Sequence, residues 1–390
     1  MSRRVPERNA APSPRLVVLL CLLVAAAALV VYGRVVTFPF SVVHDYPALV
    51  DSDLTHSGFS FEGARSAFTT AYPQDWRPLA WPCHLLVHSM WGADAAGYHW
   101  LGLGLHSAAA VLVFLVLQGL TGRPWPAALA ACLFAVHPMH AGAVAPAGLW
   151  VYPQAACLGL ASLWTYARYA RTRHFGWYIA TLLLLAAGHM STTVFISWPL
   201  VFLLLDLWPL KRWALAPKLC REPRRSDERP SPARPVAGLL LEKIPFLAVA
   251  LVHLLIVNRV RPDPLPPGAF PFAHVSCSIA AMLRRMAWPF GLSYVYGNPY
   301  GPGGTPPGAI ETGACVLLLL AITAGVVLLW VRRRIAFPLV GWLWFLALVL
   351  PALALAPADP GTTVDRSVYL AGIGAWIVAA WGLFSLRGRT

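Results

Sequence analysis

Apolar residues in this chain run in blocks, not in the short periodic stripes of a soluble helix or strand. They recur near 16–36, 98–120, 125–145, 149–170, 175–190, 192–209, 241–260, 309–331, 336–356 and 368–386. At about 1.5 Å of rise per residue, a block of roughly 20 crosses a ~30 Å hydrocarbon layer. The pattern predicts an all-α, polytopic membrane protein with about ten transmembrane helices in one domain over 1–390. The two blocks flanking Gly188-His189-Met190 are short and read as one hairpin or a broken helix. The stretch 269–291 is interrupted by Arg284-Arg285 and closes on Trp288-Pro289-Phe290-Gly291. A full crossing there would put Arg332-Arg333-Arg334 on the side away from the other basic loops. An interfacial or re-entrant helix at 275–290 is the expectation instead.

Polar residues between the blocks set the orientation. Basic side chains gather in the tail 1–15, at Arg168-Arg171-Arg173, in the loop 211–240, at Arg332–Arg334 and at Arg387 with Arg389. Alternating sides place all of these on one face, which the positive-inside rule makes cytoplasmic. The other face then receives a first loop (37–97) with short helices, then 137–150, 188–193, 258–308 and 357–367. The composition agrees: 58% of residues are hydrophobic, 12% are charged, and mean hydropathy is +0.62. The net charge of +14 is concentrated in the cytoplasmic loops, so it points to anionic lipid and not to nucleic acid. The first block is longer than a signal-peptide core and lacks a small-residue cleavage site, which favours an uncleaved anchor. The seven cysteines (21, 83, 132, 157, 220, 277, 315) are scattered and give neither a disulfide framework nor a zinc spacing.

Candidate chemistry collects on the external face. Asp45 follows the first block almost at once, well placed for proton transfer to a substrate whose lipid tail stays in the bilayer; His44 adjoins it. Asp51 and Asp53 read as turn or cap residues. Asp75-Trp76-Arg77-Pro78-Leu79-Ala80-Trp81 leads to His84 and His88, and His137-Pro138-Met139-His140 follows in the second loop. Arg77, Arg259, Arg261, Arg284, Arg285 and Arg366 stand where few arginines are expected. Guanidinium forks bind phosphate oxygens bidentately, and a lipid phosphate is one reason for them. The competing readings are snorkelling from an interfacial helix for Arg284 and Arg285, and an ion pair with Asp365 for Arg366. The histidines at i, i+3 and i, i+4 could hold a divalent metal, though hydrogen bonding to substrate or backbone explains them as well. Trp76 and Trp81, flanking Arg77, could stack on a sugar ring. Asp206 lies at the cytoplasmic end of its block, where a structural helix-end role is expected. There is no P-loop, dinucleotide fingerprint or nucleophile elbow.

Taken in order, several strings resemble the membrane portion of the transmembrane and tetratricopeptide-repeat O-mannosyltransferases and their bacterial relatives, within the GT-C superfamily. They are Asp75 to Trp81 with His84, Ala135-Val136-His137-Pro138-Met139-His140, and Leu203 to Leu210 around Asp206. Glu242-Lys243-Ile244-Pro245-Phe246, Val340-Gly341-Trp342-Leu343-Trp344-Phe345 and Asp365-Arg366-Ser367-Val368-Tyr369-Leu370 complete the set. The resemblance implies a GT-C-like bundle in a bacterial-type inner membrane, using a polyprenyl-phosphate-linked sugar donor on the non-cytoplasmic side. An unidentified protein or envelope glycan would be the acceptor. It makes Asp45 the catalytic base; the residues' own chemistry adds His44, Trp76, Arg77, His84, His137, His140, Arg284, Arg285, Asp365 and Arg366 as candidates around the substrates. No cofactor is required, and some members use a divalent metal.

The departures are specific. Relatives carry two or three consecutive acids where this chain has His44-Asp45-Tyr46, and a Glu where it has Gly142. A basic cluster is replaced by Leu149-Trp150-Val151-Tyr152, and an expected Lys by Thr192. No tetratricopeptide repeats follow the last block, and a separate repeat-containing partner is one way they could be supplied. A fold survives such losses more readily than an activity does. A transferase, a non-catalytic descendant that binds a lipid-linked glycan or a partner, and a transporter are therefore the readings carried forward.

Overall fold

The computed structural model describes residues 12–41, 45, 49, 55, 59–69, 76–214, 234–260, 272–292, 307–355 and 364–387. Among them the chain is helical, and the one β-type contact is an isolated bridge between Trp213 and Arg234. Five helices are long and apolar enough to cross a membrane, or six if a bent pair counts as one span. The protein is a multi-pass membrane protein. Each apolar block of the sequence coincides with a helix, but the blocks near 175–190, 192–209 and 336–356 give shorter apolar helices. The one near 149–170 ends in Arg168 and Arg171 and falls outside the five.

Local chemistry starts and stops these helices. Ser13 caps α1 (Pro14–Tyr32) by accepting from the Leu16 amide, and Pro14 supplies the fixed φ of a first helical position. Buried Leu20, Val24, Ala28 and Tyr32 form one stripe of α1 at four-residue spacing, packed on α4 (Ala95–Thr121) and α5 (Pro124–Val136). Asp94 caps α4 through the Ala96 amide at 3.0 Å, and Gly122 in the left-handed region ends it. α5 stops at His137 because Pro138 has no amide to donate and forces the preceding residue out of helical geometry. A one-turn 3-10 helix and α6 (Ala141–Val144) follow, bent 50° from α5.

α7 (Val151–Thr172) and α8 (Phe175–His189) make a tight hairpin across Arg173, which adopts positive φ. A 3-10 turn at Thr193–Ser197 leads into α9 (Trp198–Leu207), so the chain does break near Gly188. α10 (Val236–Val260) follows, then α11 (Phe272–Ala287), a short amphipathic helix bearing Arg284 and Arg285 where an interfacial helix was expected. α12 (Ala309–Arg333) buries no side chain and packs only at the edge, against α11 and α13 (Phe337–Leu355). α13 pairs most extensively with α14 (Val364–Arg387), where Gly341 and Gly374 let the two backbones touch. The first loop holds two short helices, α2 (Phe61–Thr69) and α3 (Ala80–Trp91).

Candidate functional site

Asp45 is 1% exposed. One carboxylate oxygen accepts the Ser41 amide at 2.8 Å, and the other accepts the Gly148 amide at 2.7 Å from 103 residues away. Asp45 therefore clasps the first loop to the turn before α7. Gly148 fits because a Cβ there would stand 3.2 Å from Asp45 Oδ1. Both of these hydrogen bonds come from backbone amides. Each oxygen keeps lone-pair capacity beyond the one amide it accepts.

His99 joins this corner without having been singled out in the sequence. It is buried, and its Nε2 lies 3.1 Å from the Phe38 carbonyl. With the proton on that nitrogen, Nδ1 is a buried acceptor with no hydrogen-bond partner. Gly102, one turn along α4, packs on Trp150 and Val144, so this face of α4 meets the turn that holds Asp45.

A second corner lies six residues earlier on the same segment. A Cβ at Gly142 would touch Arg366 Cγ at 3.7 Å and Asp365 Cβ at 3.9 Å. The position where the resemblance expects Glu thus faces the Asp365-Arg366 pair. Asp365 does not pair with its neighbour: it takes Arg285 of α11 at 3.4 Å. Among the described residues Arg366 has no ion-pair or hydrogen-bond partner, and its buried Nε is unsatisfied. Arg284 is exposed on the other side of α11.

The histidines divide by what occupies their nitrogens. His137 accepts the Met139 amide at Nδ1 and faces the Met286 carbonyl with Nε2 at 3.1 Å, so it ties the α5 break to the end of α11. Its own carbonyl accepts the Tyr32 hydroxyl at 2.6 Å. His140 donates from Nδ1 to the Phe134 carbonyl at 2.8 Å, leaving Nε2 buried and unpartnered. His106, beneath them, meets the Tyr369 hydroxyl at 2.7 Å and the Ala135 carbonyl at 3.1 Å. His84 meets the Thr55 hydroxyl at 2.8 Å, and that hydroxyl also reaches the Leu49 carbonyl. Burial, with a smaller contribution from His88, pushes the His84 imidazole down to about 4, so it is neutral at physiological pH. Among the described residues, no three His, Cys, Asp or Glu side chains converge as a metal site would need.

Trp76 and Trp81 are both buried. Trp76 donates to the Phe68 carbonyl at 2.8 Å and packs on Phe68 and His253, while Trp81 packs on His84. The Trp76 ring thus ties the first loop to α10, while Trp81 packs within that loop on His84 and Ala67. The Arg77 guanidinium lies 6.0 Å from the Tyr152 ring centre. His44, Asp51, Asp53 and Asp75 lie outside the described residues.

Asp206 is at the far end of the bundle from Asp45. α7 begins beside Gly148, and Tyr166 stands 15 residues along it, about 22 Å away. There Asp206 is fully buried and accepts from Tyr166, Arg212 at 2.9 Å and Lys243 at 2.8 Å. The expected helix-end role is thus a place in a buried ion cluster.

Two curated proteins of Drosophila melanogaster share sequence with the chain. Over 114 residues it is 37% identical to "Protein O-mannosyl-transferase Tmtc1", covering 29% of this chain and 13% of that protein. Over 144 residues it is 35% identical to "Protein O-mannosyl-transferase Tmtc2", covering 34% of this chain and 15% of that protein. No protein-family model and no solved structure matches the chain.

Proposed function

We propose, on similarity to O-mannosyltransferases over about a third of the chain and an apolar helical bundle, that the protein is an integral-membrane glycosyltransferase of the GT-C type. It would move a sugar from a polyprenyl-phosphate donor to an acceptor hydroxyl on the non-cytoplasmic side. The carrying observation is that one short segment, 142–148, receives a buried carboxylate at one end and, at the other, an arginine with no counter-ion among the described residues.

The chemistry follows from that pairing. Asp45 takes the acceptor's hydroxyl proton, and the acceptor oxygen bonds to the anomeric carbon. The bond from that carbon to the phosphate oxygen breaks, and the phosphate leaves with the electron pair. Arg366, with Arg285 beside it, stabilises the departing charge in a site where little water dilutes the interaction. Because Asp45 is buried, the first loop has to shift to admit an acceptor.

A second reading, a non-catalytic binder of a lipid-linked glycan, is favoured by the two amides already bonded to Asp45 and by Gly142 in place of Glu. Glycan profiling of a deletion strain, complemented with wild type or Asp45→Asn, separates the two. Loss of one sugar, restored by wild type alone, supports transfer with Asp45 as base. Restoration by both removes Asp45 from that role. No change in glycoproteins or envelope glycolipids, with stable protein in the membrane, favours the binder.

A further inference from the structure

The ion cluster at the opposite end of the bundle is not used by the proposed chemistry. Its two carboxylates, Asp206 and Glu242, face four cations: Arg173, Arg212, Arg234 and Lys243. The inner part is closed. Arg212 is fully buried and bonds Asp206 at 2.9 Å and Glu242 at 2.8 Å, while Lys243 bonds Asp206 at 2.8 Å. Tyr166 donates to Asp206 between them.

The outer part is over-subscribed. Glu242 Oε2 accepts Arg212 at 2.8 Å, then Arg173 and Arg234 at 3.3 Å each, and the Tyr169 hydroxyl at 3.4 Å. A carboxylate oxygen offers about two good acceptor directions. Arg212 takes the short one, which leaves Arg173 and Arg234 loosely held with N–H groups to spare. Their side chains are 25% and 40% exposed, whereas Glu242 is 5% exposed. Both Nη1 atoms sit 3.3 Å from one oxygen, so the two guanidinium groups converge. A backbone clasp holds Arg234 there: its amide donates to the Arg212 carbonyl at 2.7 Å, and its carbonyl accepts the Ala214 amide at 2.9 Å.

Two converging guanidinium groups over a saturated carboxylate, with two positive charges in surplus among the described residues, suit a tetrahedral oxyanion that can bridge them. The depth suits a headgroup. Glu242 stands six residues into the membrane-crossing helix α10, about 9 Å from its start. We infer that Arg173 and Arg234 form a phosphate-binding site at this end of the bundle, whose ligand is a phospholipid headgroup or a free phosphate. This inference is independent of the glycosyltransferase reading, because the cluster lies at the other end of α7.

The test uses the full chain in nanodiscs of phosphatidylcholine alone or with 30% phosphatidylglycerol, and in detergent with inorganic phosphate. Thermal unfolding and the number of lipids retained in native mass spectrometry are the readouts. Wild type is expected to gain stability in one arm, phosphatidylglycerol for a lipid site or inorganic phosphate for a free-anion site. Arg173→Gln with Arg234→Gln should abolish that gain while Arg212 still holds Glu242. Arg168→Gln, an exposed arginine over Trp177 outside the cluster, should leave it intact. An equal loss in Arg168→Gln would mean diffuse surface attraction and overturn the site, as would no gain in either arm. If the double variant does not fold, Arg173→Lys with Arg234→Lys keeps the charges but not the forks. That pair should lose most of the gain, and full retention would overturn the assignment.

Discussion

Asp45 and Gly148, 103 residues apart in sequence, are joined by a 2.7 Å hydrogen bond from the glycine amide to a buried carboxylate oxygen. This contact gives Asp45 a structural role whatever its chemistry. Asp45→Asn turns one acceptor oxygen into an NH2 facing an amide donor, so one buried amide loses its partner. The expected cost is about 1–3 kcal/mol of stability, beside a fall in turnover of roughly 10²–10⁴ if Asp45 is the base. Gly148→Ala crowds the same oxygen and should lower stability with a smaller loss of turnover. Thermal unfolding paired with turnover well below the transition measures both effects. An unchanged melting temperature in Asp45→Asn would show that the clasp does not hold the loop.

Gly142 and Arg366 give a second, reversible test. The contacts a Cβ would make at 142 are ordinary van der Waals distances, so a longer side chain has room to leave the backbone. Gly142→Glu should place a carboxylate beside Arg366 and stabilise the fold by up to about 1 kcal/mol, as a partly exposed pair does. Arg366→Gln should cancel that gain in a double-mutant cycle. A gain that persists in the double variant would show that the introduced carboxylate finds another partner.

Asp206 should be the costliest single acid to lose. Removing it leaves Arg212 and Lys243 buried with only Glu242 between them, and breaking one partner of a buried ion pair costs about 3–5 kcal/mol. Asp206→Ala is therefore expected to reduce the folded protein recovered from membranes severely. Asp206→Leu combined with Lys243→Met removes a charge of each sign and should recover much of the loss. Equal recovery of Asp206→Ala and wild type in a detergent-extraction assay would refute this account.

The His84–Thr55 bond predicts a pH dependence. The folded imidazole is pushed from 6.5 to about 4, so the unfolded chain binds more protons between those values. Stability contributed by neutral His84 is thus present above pH 6.5 and is lost as pH falls toward 4, up to about 3 kcal/mol. His84→Gln should flatten the melting temperature across this window. A slope as steep in His84→Gln as in wild type would assign it to other groups.

The helices were legible because membrane-crossing length writes itself as an apolar block. Their count was less so, since a block says nothing about where a Pro138-type break or a 3-10 turn shortens the helix. The Asp365-Arg366 dipeptide suggested a neighbouring ion pair, but adjacent residues on a helix diverge, and Asp365 took Arg285 from α11 instead. The Gly148 amide and His99 were invisible in sequence: one is a backbone group, and the other is an ordinary-looking residue in an apolar helix. The ion cluster was half visible. Asp206 and Glu242-Lys243 stood in strings already notable for their resemblance, but Tyr166 and Arg212 carry no signal until the fold brings them together.

Gly341 and Gly374 set the distance between α13 and α14, and so the place of Asp365 and Arg366 at the start of α14. A Cβ on either glycine would run into the other's carbonyl oxygen, which is backbone and cannot rotate away. The helices must separate, and overpacking of this kind costs about 1–3 kcal/mol. Gly313 and Gly325 of α12 provide the control, since nothing lies within 4 Å of a Cβ at either. Alanine there should be neutral or stabilising by up to about 1 kcal/mol, through the lower backbone entropy of the unfolded chain. Gly341→Ala and Gly374→Ala should therefore lower the melting temperature while Gly313→Ala and Gly325→Ala hold or raise it. If all four variants melt together, the α13–α14 contact is not tight enough to position the arginine.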